Sequence, residues 1–267
     1  MSAPTTTRRP TLRWWRELLY VLAFYALYSL VRDLQGSQGG ASATSRATRT
    51  AFRHATGLIH LERSLHLFYE QSVQHAFIHA RLFLQFWDFY YGTAHFVVTI
   101  GTLVWLFRRD PARYPLWRNT LALTTGIALI GFAFYPLMPP RLLDSLMGTH
   151  YGFIDTLERF GGGWSFHSDT MEKVSNQFAA MPSLHIGWSL WCACVLYPAC
   201  HRPWTRALAI AYPLLTLFCI VVTANHFVLD AVGGAVVFLI GLVIARQLTP
   251  RTRPEDSGPA GEAAAAA

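Results

Sequence analysis

Charge is what this sequence has least of. Only 14% of its 267 residues are charged, against 52% that are hydrophobic. A soluble domain carries about a quarter charged residues, so an ordinary water-soluble globular fold is excluded. Lysine is nearly absent: Lys173 is the only one, and arginine carries the rest of a formal net charge of +7. A nucleic-acid partner would need a basic face or a recognisable binding motif, and neither appears. Cysteine is scarce as well. Cys192, Cys194, Cys200 and Cys219 lie in or beside apolar runs without metal-ligand spacing, which favours packing roles and implies no metal. No internal repeat is evident.

Long apolar runs are what the chain has in their place. Six can be read, at about 14–31, 82–107, 121–137, 183–197, 207–223 and 226–244. Runs of this length are read as membrane spans. The expected architecture is all-α, a polytopic bundle of six transmembrane helices over 14–248. A polar, basic N-terminus (1–13) and a Pro/Gly/Ala tail (249–267) that reads as disordered flank it. The first run is followed by Ala41-Ser42-Ala43, as after a signal peptide. That tripeptide lies beyond a glycine-rich stretch and the run is long enough to span, so a retained helix is expected.

Between the first two spans, residues 50–81 place Leu58, Leu61, Leu65 and Phe68, then Val73, Phe77 and Ala80, at helical spacing. Glu62, Arg63, Glu70 and Gln71 fall between them. This pattern predicts amphipathic helices at the interface or packed over the bundle. A long loop over 142–182 contains Gly161-Gly162-Gly163, and a connection of that length is usually functional or disordered.

Arginine excess marks the cytoplasmic side of a membrane protein. It occurs in the N-terminus, around 108–118, around 202–206 and after 246, and six spans place those four segments on one side. Both termini are then cytoplasmic. Arg141, His185 and His226 fall together at the other, outer face, near headgroup level.

Those residues belong to the most informative stretches, Ala180-Met181-Pro182-Ser183-Leu184-His185 and Asn225-His226-Phe227-Val228-Leu229-Asp230. Each places a histidine at the start of an apolar helix. His226 and Asp230, four apart, share one face if both are helical. Pro182 suits a first helical turn, and free N–H groups around Ser183 would face an incoming anion.

Pro182-Ser183-Leu184-His185 and His226-Phe227-Val228-Leu229-Asp230 resemble the second and third motifs of the type 2 phosphatidic acid phosphatase (PAP2) superfamily, P-S-x-H and H-x-x-x-D. The preceding Asn176-Gln177-Phe178-Ala179-Ala180 is similar to its inositolphosphotransferase (Aur1/Ipt1-like) branch. The usual first motif, K-x6-R-P, is absent, and Pro139-Pro140-Arg141 is its nearest counterpart. The resemblance covers roughly residues 50–248.

The resemblance implies a six-helix membrane enzyme acting on a lipid phosphoester through a phosphohistidine. His226 would be the nucleophile, Asp230 its orienting partner and His185 the general acid. Arg141 and Ser183 would bind the phosphate, with no cofactor or metal. Lys173 either supplies the lysine lost with the first motif or is a solvated loop residue. His95, inside the second span, reads as a packed, hydrogen-bonded histidine, although ionisable groups at that depth are functional candidates. Asn225 would orient the start of the sixth span. The acceptor is either an alcohol, as in phospho-headgroup transfer with phosphoinositol as one candidate, or water. Outside this class stand a lipid transporter that breaks no bond and a metal-binding membrane protein.

Overall fold

The computed structural model describes residues 46–160 and 178–249, together with residues 13, 15–17, 19, 20, 22 and 26 of the segment before them. The N-terminus through 12, most of the first apolar run, the Ala41-Ser42-Ala43 stretch, the loop segment 161–177 with Lys173, and the tail from 250 lie outside the described residues. Among the described residues the regular structure is helical, with one isolated bridge between Leu137 and Ala179.

The helices are α1 (Arg46–Ser64), α2 (Glu70–Phe77), α3 (Arg81–Arg109), α4 (Tyr114–Phe134), α5 (Arg141–Met147), α6 (Thr156–Phe160), α7 (Leu184–Leu196), α8 (Pro203–Val222) and α9 (Val228–Leu248), with a 3-10 turn at Tyr197–Ala199. Local chemistry sets many of the ends. Asp110-Pro111 follows α3 and Tyr135-Pro136 follows α4, where the residue before proline leaves the helical region. Pro115 and Pro203 sit in first turns, where a missing N–H costs nothing. Gly148, at φ +63°, closes α5.

Among the described residues three helices, α3, α8 and α9, are long and apolar enough to cross a membrane. Their exposed residues are apolar as well: Leu82, Phe86 and Val97 on α3, Leu208 on α8, Val232 and Leu239 on α9. Such a belt is stable facing lipid and costly facing water. The expected third and fourth spans differ from the reading. Helix α4 begins at Tyr114 rather than near 121 and takes in Arg118, Asn119 and Thr120 in its second turn. Helix α7 has 13 residues, about 20 Å against a hydrocarbon core of about 30 Å. Both pack beside the longer helices: Gly241 of α9 lets Thr124 of α4 approach so closely that a Cβ there would lie 2.7 Å from its Oγ1. Glu17, in the first segment, pairs with Arg118 at 2.7 Å.

The amphipathic helices expected over 50–81 are α1 and α2, but their buried face is not the predicted one. Leu58 is buried, whereas Leu61 and Leu65 are about half exposed, at 48% and 52%. Glu62, Glu70 and Gln74 are fully buried in their place. Helix α1 lies across one end of the bundle, where Ala51, Ala55, Leu58 and Ile59 pack on Leu137, Met138, Leu143 and Phe227. His54 anchors it, with Nδ1 2.7 Å from the Pro136 carbonyl and its ring stacked on Tyr135. The long loop after α4 is partly ordered by its own short helices, α5 and α6. Asp144 accepts from Thr149, Tyr151 and Gly152, and Gln74 pairs with the Ile154 backbone in both directions.

Candidate active site

Three backbone hydrogen bonds bring the distant motifs together. Leu137 N–H donates to Phe178 O at 2.8 Å, Arg141 N–H to Ala224 O at 2.9 Å, and Ser183 N–H to Asp230 O at 3.0 Å. Each joins a different pair of the segments 137–141, 178–183 and 224–230. Close approach between α9 and the Ser183 segment depends on Gly234, where a Cβ would stand 2.2 Å from Ser183 O.

The histidines meet at this junction. The rings of His185 and His226 are 5.5 Å apart, centre to centre, at 63°. His226 does not open a helix, contrary to the expectation. It lies two residues before α9, in a turn where Ala224 adopts φ +51°, a conformation costly for a residue with a Cβ. That turn is closed by the amides of Asn225 and His226 on Ile220 O, at 3.0 and 3.2 Å. It aims the His226 ring so that Nδ1 lies 3.4 Å from Asp230 Oδ2 although the two residues share no helix. The same Oδ2 accepts the Phe227 N–H at 3.0 Å, half of a capping box. His226 is 3% exposed and Nε2 has no partner among the described residues.

Pro182 likewise lies before its helix, joined to Met181 by a cis bond, and α7 starts at Leu184 with Ser183 as N-cap. The Ser183 amide donates to the Asp230 carbonyl, so it is not among the free N–H groups expected to face an anion. The amides of Leu184, His185 and Ile186 are the ones an α-helix leaves without intrahelical acceptors. The Ser183 hydroxyl is buried and has no partner among the described residues.

Arg141 reaches the same turn from the other side. Its Nε donates to Asn225 Oδ1 at 3.0 Å and its Nη1 pairs with Asp155. Asp155 was not visible in the sequence as a site residue; it also accepts the Leu157 and Glu158 amides at the start of α6. Asn225, expected to orient the start of the last helix, bridges Arg141 and Thr223.

Helix α3 supplies a wall. Tyr91 stacks on His185 at 4.2 Å, and its carbonyl lies 3.3 Å from His185 Nε2. His95 donates from Nδ1 to the same carbonyl at 2.9 Å, with its ring 4.2 Å from that of His185. His95 is thus packed and hydrogen-bonded as expected, but against the site. Tyr91 and His95 lie one helical turn apart, which places both on the face of α3 that meets the His185 ring. Among the described residues no group of three or more His, Cys, Asp or Glu is arranged to hold a metal ion.

Two buried carboxyls complete the junction. Glu62 Oε1 accepts the Leu229 N–H and Glu70 Oε1 the Val228 N–H, both at 2.8 Å. Burial pushes the Glu62 carboxyl up to about 9, with the nearby Glu70 charge adding to it, and burial raises Glu70 as well.

The chain is 25% identical over 168 residues to the inositol phosphorylceramide synthase catalytic subunit aur1 of Schizosaccharomyces pombe. The match covers 59% of this chain and 39% of that protein, so the chain spans well under half of the relative's length. No solved structure matches. The sequence profile of the PAP2 superfamily matches residues 56–244. Since that stretch takes in the second half of α1, both histidine motifs and nearly all of the bundle, the chain belongs to the PAP2 superfamily, whose members are phosphoric ester hydrolases or phosphotransferases.

Proposed function

We propose that the protein is a membrane phosphotransferase that moves a phospho-headgroup from a lipid phosphoester to an alcohol through a phosphohistidine. The observation that carries this reading is the His226 ring. One nitrogen faces a buried carboxylate at 3.4 Å, the other has no partner, and a second histidine lies 5.5 Å away. Asp230 holds the Nδ1 proton, which leaves the Nε2 lone pair to attack phosphorus. The P–N bond forms as the P–O bond to the departing alcohol breaks. His185 supplies the proton for that oxygen; with Nε2 directed at the Tyr91 carbonyl, Nδ1 is left to donate it. Arg141, Ser183 and the first amides of α7 neutralise the non-bridging oxygens. In the second half-reaction the acceptor hydroxyl attacks phosphorus, its proton goes to His185, and the P–N bond breaks.

Similarity to a subunit named for inositol phosphorylceramide synthesis favours an alcohol acceptor and a phosphoinositol-like headgroup. Hydrolysis would use the same histidines with water as acceptor. The site is proposed to face the exterior of the cell membrane, with cytoplasmic termini. Arg109, Arg113, Arg118, Arg202, Arg206 and Arg246 support this, because they cluster at helix ends away from His226.

The test is mass spectrometry of products from purified protein given a panel of lipid phosphoesters with and without alcohol acceptors. Phosphodiester products and a trapped phosphohistidine on His226 are expected. Lipid movement between leaflets without bond cleavage would overturn the enzyme reading, and loss of activity to chelators would overturn the metal-free one. Release of inorganic phosphate alone would replace transfer by hydrolysis.

A further inference from the structure

The catalytic turn is gripped from outside the bundle. Val228 and Leu229 are the first residues of α9, and their N–H groups have no acceptor within the helix. Glu70 of α2 and Glu62 of α1 supply those acceptors at 2.8 Å each. Both carboxyls are fully buried. Their other oxygens, Oε2 of Glu62 and Oε2 of Glu70, are buried with no donor among the described residues, burial raises both carboxyls, and the nearby Glu70 charge raises Glu62 further. Two carboxylates cannot hydrogen-bond to each other. A carboxylic acid and a carboxylate can, and one proton then satisfies both oxygens.

We propose that Glu62 and Glu70 share a single proton and act together as the positioning residues of His226, holding the first turn of α9 from the helices laid across the bundle. Neither touches the reacting atoms. They act through the backbone: the Val228 and Leu229 amides fix where α9 starts, and that start sets the His226 ring against Asp230. The remaining negative charge lies at the positive end of the α9 dipole, where it is stabilised. Asp230 on α9 is the other charged group that acts on both carboxyls, and it opposes a second ionisation. Burial, which raises the Glu62 carboxyl to about 9, keeps the shared proton in place at neutral pH.

The kinetic arm of the test rests on the phosphotransfer reading; the exchange arm does not. Full-length protein is compared with Glu62→Leu and Glu62→Gln, by turnover of a lipid phosphoester across pH and by hydrogen exchange of the peptide covering 226–232. Glutamine keeps an acceptor for the Leu229 amide and a donor for Glu70. Glu62→Gln is expected to hold kcat within about twofold and exchange at the wild-type level. It is also expected to lose the alkaline limb that the wild type shows as the proton leaves. Glu62→Leu is expected to lower kcat at least about tenfold with a smaller change in KM, because a turn misplaced by a fraction of an ångström loses attack geometry. Its 226–232 amides should exchange faster.

Wild-type exchange and kcat in Glu62→Leu would overturn the proposal, as would a Glu62→Gln protein as damaged as the leucine variant or one that keeps the alkaline limb. If Glu62→Leu does not fold, the glutamine variant and its pH profile decide. If the wild type cleaves no phosphoester, the phosphotransfer reading fails, and exchange in the two variants still decides whether the carboxyl pair holds the turn.

Discussion

The two helices that carry the histidine motifs begin in opposite ways. Helix α9 has its first amides taken by built-in carboxyls: Phe227 on Asp230, Val228 on Glu70 and Leu229 on Glu62. Helix α7 has no side-chain cap, and its N-cap hydroxyl, on Ser183, is buried without a partner among the described residues. Both starts carry the same partial positive charge. At α9 the protein neutralises it and gains a rigid turn for a nucleophile. At α7 the donors are left for something else to use, and a phosphate oxygen beside His185 fits them. A helix start thus serves rigidity or ligand binding according to whether the fold supplies its own anion.

The sharpest way to break this comparison is at the nucleophile. His226→Ala should reduce turnover of a phosphoester by about a thousandfold or more, as loss of a covalent nucleophile does. Thermal unfolding in detergent should move far less than turnover, because the ring's contact with Asp230 is long, at 3.4 Å from Nδ1, and Nε2 has no partner among the described residues. Residual activity near the wild-type level would remove His226 from the chemistry.

Gly234→Ala tests whether the two starts must touch. The new methyl would meet Ser183 O at 2.2 Å, so backbone has to shift, at about 1–3 kcal/mol. A lower midpoint in thermal unfolding and a fall in kcat are expected together. An alanine protein with both values unchanged would show that the junction tolerates separation.

Ser183→Ala addresses the uncapped start alone. Losing one donor to a phosphate oxygen should cost roughly tenfold or more in kcat/KM, with stability unchanged or improved, since a buried hydroxyl without a partner disappears. A variant with unaltered kinetics would assign the hydroxyl no part in phosphate binding.

The smallest effect expected is on the pH dependence of stability at the capped start. Glu62 is raised in the folded state from 4.5 to about 9. An acid with a raised folded value binds its proton more tightly when folded, so its contribution is fully present below pH 4.5 and is lost as pH rises through about 9. Unfolding midpoints should therefore decline from about pH 4.5 to about 9 in the wild type and decline less over that range in Glu62→Gln. Equal slopes in the two proteins would contradict a proton held at Glu62.

Much of the site was legible in the sequence, and for local reasons. Ser183, His185, His226 and Asp230 stand in two short motifs, and alternation of apolar runs with arginine-bearing turns predicts that they share one end of the bundle. Arg141 followed from the same counting. The departures are also local. The motif pattern predicts Pro182 and His226 as the first residues of helices, but both belong to the turns that precede them, because a tertiary hydrogen bond and a left-handed turn at Ala224 set those ends. The same pattern puts Glu62 and Glu70 on the polar side of amphipathic helices, yet they face inward.

The sequence by itself determined the class of molecule: a lipid-facing helical bundle, set by apolar length and scarcity of charge, with two histidine motifs at one end. Only the tertiary structure decided which polar groups are buried and what each holds. A carboxyl is stable inside a protein when donors reach it, and the amides that donate to Glu62 and Glu70 lie 167 and 158 residues further along the chain, respectively. No window of sequence around either glutamate contains that information, because the partner is a helix start that exists only once the bundle has formed.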